Sequence, residues 1–264
     1  MGAVLQAKNV SKFFGGVKAL QNVTFDVNEG EIVGLIGPNG AGKTTMFNCM
    51  AGVYPATEGD VYMFGEDVNK LPTHKRVQMG MARTFQNIKL FGNVSAVENV
   101  MTGRHCRTKN WLLPVVFCLP GALKEEKESR AKAMEYLDFV GLGDKYDFFA
   151  RNLPYGEQRD LEIARALATE PKVLLLDEPA AGMNEIEKDS LQVLVKRIRE
   201  ELHITVLIIE HDMKVVMNLC DRIVVLNQGQ KICEGTPEVV RADAAVIEAY
   251  LGSSQGRRDR FVKD

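Results

Sequence analysis

The stretch Gly37-Pro38-Asn39-Gly40-Ala41-Gly42-Lys43-Thr44-Thr45 follows directly on the apolar run Ile32-Val33-Gly34-Leu35-Ile36. It matches the pattern G-x-x-x-x-G-K-[ST], and its setting, a strand before it and a helix opening at Lys43, is the one that pattern requires. Glycines let successive backbone N–H groups turn inward around phosphate oxygens, and the positive end of the helix faces the same charge. All nine residues, Gly37, Pro38, Asn39, Gly40, Ala41, Gly42, Lys43, Thr44 and Thr45, are therefore candidate contacts for a nucleoside triphosphate. Lys43 is expected to reach the β- and γ-phosphates, with its side chain facing solvent when no ligand is bound, and the Thr44 hydroxyl to hold Mg²⁺.

Working outward, the chain has 264 residues, of which 45% are hydrophobic, enough for one large domain or two small ones. The formal net charge of −2 and the scattered Lys and Arg speak against a nucleic-acid surface or a polybasic membrane patch. Five cysteines, odd in number and nowhere spaced C-x-x-C, fit reduced thiols in a cytosolic protein. The four histidines are far apart and form no metal-binding cluster in sequence. Met1–Val10 lacks a signal-peptide pattern. The apolar run Trp111–Leu119 has nine residues and a proline, too few to span a bilayer, which takes roughly 20. It reads either as helical-subdomain core or loop, or as a surface patch for a membrane partner.

Val4–Val10 and Val23–Val27 read as antiparallel strands ahead of the strand that feeds the phosphate loop, and Asp60–Phe64 as a further one. From about Ser95 to Ala168 the signals turn helical, with Ala133, Leu137 and Val140 at amphipathic spacing. Thereafter Val173–Asp177, Thr205–Ile209 and Arg222–Leu226 alternate with helical patterns around Glu185–Glu201 and Met213–Leu219, the layout of a parallel sheet with crossover helices. Ser253–Asp264 is polar, charged and aperiodic, and reads as a mobile tail.

The second half carries further phosphate chemistry. Val173-Leu174-Leu175-Leu176-Asp177-Glu178 is a buried-type strand ending in two carboxylates. Asp177 is the expected Mg²⁺ ligand, usually through water, and Glu178 the group that polarises the attacking water. Ile208-Ile209-Glu210-His211-Asp212 ends another strand in a histidine whose imidazole can reach the γ-phosphate or that water. In Arg83-Thr84-Phe85-Gln86, the Gln86 amide can ligate Mg²⁺ or orient water.

In this order after a phosphate loop, these residues resemble the ATP-binding subunit of an ABC transporter over essentially all of residues 4–252. Asn152-Leu153-Pro154-Tyr155-Gly156-Glu157-Gln158-Arg159 sits where such subunits carry their Leu-Ser-Gly-Gly-Gln signature. The resemblance implies an α/β fold of the P-loop ABC ATPase kind: a RecA-like parallel-sheet core, an N-terminal antiparallel β subdomain and an inserted α-helical subdomain at about 93–168, within an ATPase domain of 1–252. It also implies that Tyr155, Gly156 and Glu157, opening a helix of about Glu157–Ala168, meet the γ-phosphate held by a second ATPase subunit. Phe14, before Gly15-Gly16, falls where the family stacks an aromatic ring on adenine, with Phe13 as its neighbour and rival.

Within the family, Ala82-Arg83-Thr84-Phe85-Gln86, Leu161–Leu167, Asp177–Asn184, Ile209–Met213 and Ala249-Tyr250-Leu251-Gly252 are most like the branched-chain amino-acid importer ATPase. That likeness implies ATP and Mg²⁺ as cofactors, transmembrane permease subunits as partners, and a solute-binding protein, periplasmic or extracellular, met indirectly. It implies a second ATPase subunit, a different chain being favoured over a second copy, and a peripheral place on the cytoplasmic face of the plasma (inner) membrane. An apolar helical region from Asn93 to Leu123 is expected to be exposed toward membrane helices. Pro154 in place of the signature serine and Asn184 in place of an aspartate are departures. Pro154 is expected in the first turn of the signature helix, with Tyr155 compensating for the lost hydroxyl. Other readings are an importer for urea or short amides, a soluble ABC protein acting on ribosomes or DNA, and a nucleotide-binding regulator that does not hydrolyse ATP.

Overall fold

Twelve residues of alternating burial, Ala3–Phe14, form strand β1, with Leu5, Ala7 and Val10 wholly buried on one face. β2 (Val17–Asn28) pairs with it antiparallel in the register Leu5↔Val27, Ala7↔Phe25 and Val10↔Val23, so the apolar side chains stack. The computed structural model describes residues 2–107 and 120–251. The expectations for Trp111–Leu119 and Ser253–Asp264 lie outside the described residues.

The chain divides into two compact units, one of Met1–Thr73 with Thr205–Asp264 and one of His74–Ile204. The first unit continues with β3 (Ile32–Ile36), helix α1 (Lys43–Ala51), β4 (Glu58–Met63) and the two-residue β5 (Glu66–Asp67). β4 lies antiparallel on the other edge of β1 and carries β5. The second unit holds α2 (Thr73–Met79), β6 (Met81–Arg83), α3 (Ala96–Arg104), α4 (Pro120–Phe139), α5 (Tyr155–Leu167), β7 (Val173–Asp177) and α6 (Glu185–Leu202). The chain returns to the first unit with β8 (Thr205–Ile209), α7 (Met213–Leu219), β9 (Arg222–Asn227), β10 (Gln230–Gly235), α8 (Pro237–Ala242) and α9 (Ala244–Leu251).

In the first unit β3 runs parallel to β8 on one side and β9 on the other, and β10 folds back antiparallel on β9. All five residues of β3 and all five of β8 are buried, as expected of parallel strands covered on both faces. In the second unit β6 and β7 are parallel, and β7 is likewise wholly buried. Its helices close a separate core: Val97 and Val100 of α3, Ala133 and Leu137 of α4, and Leu161 and Ala164 of α5. Ser95 and Glu98 cap α3 reciprocally, which fixes where that helix begins.

Four expectations need correction. The strands before the phosphate loop are longer than Val4–Val10 and Val23–Val27, because polar ends are carried by the same ladder. Val140 lies just past the end of α4, in the turn after Phe139. The region Asn93–Leu123 is not an exposed apolar face in its described part, since Ala96, Val97 and Val100 point into the helical core. β6 and β10 were not anticipated: one is only three residues long, the other half-exposed with no clean alternation.

Candidate functional site

In the first unit the phosphate loop leaves the buried end of β3 and enters α1 with Gly42 at the N-cap and no side chain capping it. The first N–H groups of a nine-residue helix are thus left to an incoming anion. Gly37 is required here: a Cβ at this position, φ 150°, would stand 2.1 Å from the Leu226 carbonyl oxygen. Lys43 is not solvent-facing as expected. It is 7% exposed, and its ammonium donates to the carbonyls of Gly37 at 2.7 Å and Pro38 at 3.1 Å. Asn39, Gly40 and Thr44 are exposed, Pro38 and Thr45 half-buried, and Ala41 buried.

Phe14 ends β1 and is 47% exposed, while Phe13 is partly buried. The Phe14 ring meets Tyr54 edge to face at 5.4 Å. Lys12 Nζ lies 5.3 Å and 4.8 Å from the two ring centroids and donates to the Pro55 carbonyl at 2.8 Å. An exposed ring braced in this way is a platform for a planar base. Tyr54 and Lys12 were missed, and nothing in their local sequence marks them. His211 ends the loop after β8 with an exposed side chain, its backbone N–H donating to the buried carboxylate of Glu210 at 3.1 Å. Asp212 caps α7 by accepting from the Lys214 and Val215 amides.

In the second unit, Asp177 and Glu178 leave β7 as expected. Asp177 is buried and ion-paired with Arg83 at 2.8 Å, and its backbone N–H donates to the buried Thr84 hydroxyl at 3.3 Å. Glu178 has φ +47°, a left-handed conformation rare for a residue with a side chain and typical of over-determined functional positions. Its Oε2 accepts from Gln86 Nε2 at 2.9 Å, so two residues 92 apart in sequence meet.

The candidate signature lies in the same unit. Pro154 is the N-cap of α5, one residue before the first turn where it was expected, and its carbonyl accepts from Gln158 N–H at 2.9 Å. Tyr155 opens the helix with its hydroxyl donated to the Ala181 carbonyl at 3.0 Å, so that hydroxyl is already committed. Gly156 packs closely, a Cβ there falling 2.9 Å from Glu187 Oε1. Glu157 pairs with Lys145 at 2.7 Å. Arg159, wholly buried, was quoted in sequence but not singled out. Its guanidinium donates to the backbone oxygens of Phe85 at 2.7 Å and Gln86 at 2.9 Å, and to Glu162 at 2.9 Å. It fixes the backbone that carries Gln86 to the helix that begins at Tyr155. Asn184 caps α6 in a reciprocal box with Glu187, a role its carboxylate analogue fills equally well.

The family model for ABC transporters matches residues 20–181, and one for a branched-chain amino acid ATP-binding cassette transporter matches residues 230–255. The chain is 44% identical over 251 residues to the high-affinity branched-chain amino acid transport ATP-binding protein BraF of Pseudomonas aeruginosa, covering 95% of this chain and 98% of that one.

The chain belongs to the ABC transporter family.

Its fold is accordingly the α/β ABC ATPase fold, with a parallel-sheet core, an antiparallel N-terminal part and a helical insertion. The ADP conformation of an ATP-binding cassette of an ABC transporter matches with a TM-score of 0.84 at 34% identity, covering 96% of this chain and all of that one. A dimeric bacterial ABC transporter cassette matches with a TM-score of 0.75 at 29% identity, covering 88% and 98%. Within this ABC chain the phosphate loop, Phe14 and His211 belong to the first unit, and Gln86, Asp177, Glu178 and the signature residues to the second. Set against Leu-Ser-Gly-Gly-Gln, Tyr155 and Glu157 depart as well as Pro154.

Proposed function

We propose that this chain is the ATP-hydrolysing, energy-coupling subunit of an ABC importer for branched-chain amino acids. The observation that carries the solute class is the 44% identity to a branched-chain amino acid transport ATP-binding protein along nearly the whole of both chains, joined by the C-terminal family match. Urea and short-amide importers remain the alternative within the same architecture, because an ATPase subunit does not itself touch the solute.

In this reading the amides of Gly37–Thr45 bind the phosphates, Lys43 exchanges its two loop carbonyls for the β- and γ-phosphates, and Phe14 stacks on adenine. Glu178 polarises the attacking water while Gln86, bonded to it, holds the carboxylate in place. His211 hydrogen-bonds the γ-phosphate. The Thr44 hydroxyl, Gln86 amide oxygen and Asp177 carboxylate are hard oxygen donors of the kind Mg²⁺ takes. When bound, Mg²⁺ neutralises charge developing on the phosphates. Asp177, one of whose oxygens faces Arg83 at 2.8 Å, would hold it through the other.

The domain is proposed as 1–252 with its helical part at about 93–168. Tyr155, Gly156 and Glu157 are proposed to face a second ATPase subunit, a different chain from this one, since Pro154 and Glu157 remove a hydroxyl and an amide donor from the shared site. The resemblance to a dimeric cassette supports pairing, not the identity of the partner. Among the described residues no helix is long and apolar enough to cross a membrane. Phe91, 57% exposed, and the exposed Phe148 and Phe149, the last paired with Ser95 through an isolated bridge, are proposed to receive a permease subunit at the cytoplasmic face, with a solute-binding protein beyond it.

The test is reconstitution in vesicles with permease subunits and a second ATPase of the branched-chain amino-acid importer class. ATP-dependent leucine uptake is the expected result; uptake of urea or short amides without leucine would overturn the solute assignment. If the isolated chain dimerises with ATP and hydrolyses it as fast as the full assembly, the unequal-partner reading is wrong.

A further inference from the structure

Phe14, paired with Val17, closes the ladder of β1 and β2 ahead of the turn Gly15-Gly16. A half-exposed ring at a hairpin tip samples several rotamers unless something packs against it. What packs here is the loop from α1 to β4, whose Tyr54 meets Phe14 with ring centroids 5.4 Å apart and planes at 89°. That loop is tied at both ends. The Val53 N–H donates to the Asn48 carbonyl of α1 at 2.9 Å, and the Thr57 N–H to the Ser11 carbonyl of β1 at 2.8 Å. The Phe13 N–H returns a bond to the Thr57 hydroxyl at 3.1 Å, and Lys12 holds the Pro55 carbonyl between them. Tyr54 itself is half-buried and joins both sides, because its hydroxyl accepts from Asn48 Nδ2 at 3.2 Å while its ring braces Phe14. Asn48 lies on the same nine-residue helix that Lys43 opens. One tyrosine thus connects the ring placed for a base to the helix placed for phosphates.

We propose that Tyr54 is a positioning residue for the base of the nucleotide, holding the Phe14 ring in one orientation and at a set reach from α1. This rests on the reading of Phe14 and the phosphate loop above and deepens it. Losing an edge-to-face pair, and with it the fixed rotamer of the ring it braces, weakens binding about three- to tenfold. The loss falls on ligands that carry a base, since the triphosphate is left to Gly37–Thr45.

The experiment compares the parent, Tyr54→Leu, Tyr54→Phe, Phe14→Ala and the double variant Phe14→Ala/Tyr54→Leu. On the full chain the readouts are Kd for ATP and for inorganic tripolyphosphate, which has no base, with the melting temperature to confirm folding. In the assembled transporter they are KM and kcat. Tyr54→Leu fills a half-buried loop position with apolar bulk, and is expected to raise ATP Kd and KM about three- to tenfold. Tripolyphosphate Kd and kcat are expected to stay within about twofold. Tyr54→Phe keeps the ring and is expected to restore ATP Kd to within about twofold. The double variant is expected to bind ATP no more weakly than Phe14→Ala alone, because Tyr54 acts through that ring. An ATP Kd within twofold of the parent in Tyr54→Leu would overturn the proposal, as would an equal rise for tripolyphosphate, which would mean a distorted α1. Additive losses in the double variant would also overturn it, since Tyr54 would then contact the base directly. Failure of the underlying reading looks different: Phe14→Ala would then bind ATP as the parent does.

Discussion

Replacing Asp160 with Asn is expected to stabilise the protein more at pH 8 than at pH 5.5. Asp160 lies in the second turn of α5, on the wall of a groove of about 500 Å³ that Asp138, Asp189 and Arg197 also line. Burial, and then the carboxylates of Glu157 on the same helix and Glu187 on α6, push its carboxyl from 3.8 up to about 7. The cations nearby are committed elsewhere, Arg197 to Glu201 at 2.7 Å and Lys145 to Glu157 at 2.7 Å. The folded chain therefore keeps the Asp160 proton up to about pH 7, whereas the unfolded chain releases it near 3.8. Between those values the folded state binds more protons, so stability falls as pH rises through the window and levels off above it. At about 1.4 kcal/mol per pH unit the full penalty at pH 8 is of the order of 4 kcal/mol, and roughly 2 kcal/mol of it accrues between pH 5.5 and 8. Asn keeps the shape and cannot ionise. Urea unfolding of parent and Asp160→Asn at the two pH values measures the difference. A stability gap that is equal at both, or narrower at pH 8, refutes the reasoning.

Glu178→Gln is expected to keep nearly all ATP affinity while hydrolysis falls about 10²–10⁴-fold, and a variant turning over at more than about half the parent rate sinks the assignment of the base. Lys43→Ala is expected to weaken ATP binding and, because it leaves the Gly37 and Pro38 carbonyls without their buried donor, to cost about 1–3 kcal/mol of stability without nucleotide as well. An unchanged melting temperature would show that those carbonyls are satisfied by water. Pro154→Ser supplies a side-chain cap that α5 lacks, worth about 1 kcal/mol to the helix, and a hydroxyl toward the second subunit. The expected result is a higher melting temperature and faster hydrolysis in the assembled transporter; a gain in stability without a gain in rate would show that the lost hydroxyl does not limit the shared site.

Where the sequence was legible, local pattern and tertiary demand coincided. Thr205–Ile209 and Val173–Asp177 were read to the residue, since a parallel strand buried on both faces must be a continuous apolar run bounded by polar residues. The helix start at Lys43 followed from the glycine pattern alone, because the backbone geometry of a phosphate loop is written into its residue types. The pairing of Gln86 with Glu178 was foreseeable as chemistry but not as a contact, and the misses are of that kind. Arg159 reads as one of several helix-surface charges, yet it is wholly buried, because the carbonyls of Phe85 and Gln86, 74 and 73 residues away, turn toward it. Asp160, its neighbour, is driven toward neutrality first by burial, which no local window shows, and then by the carboxylates of Glu157 and of Glu187 on α6. Lys43 buries its charge against the carbonyls of Gly37 and Pro38, an arrangement set by how the loop's backbone turns rather than by any residue type. A buried guanidinium holding two backbone carbonyls is worth its desolvation only if the segment it holds must not move. The segment held here bears Gln86, whose amide meets Glu178, so the placement of Arg159 argues that the start of the helix at Tyr155 and the carboxylate proposed to polarise the attacking water are set as one rigid piece.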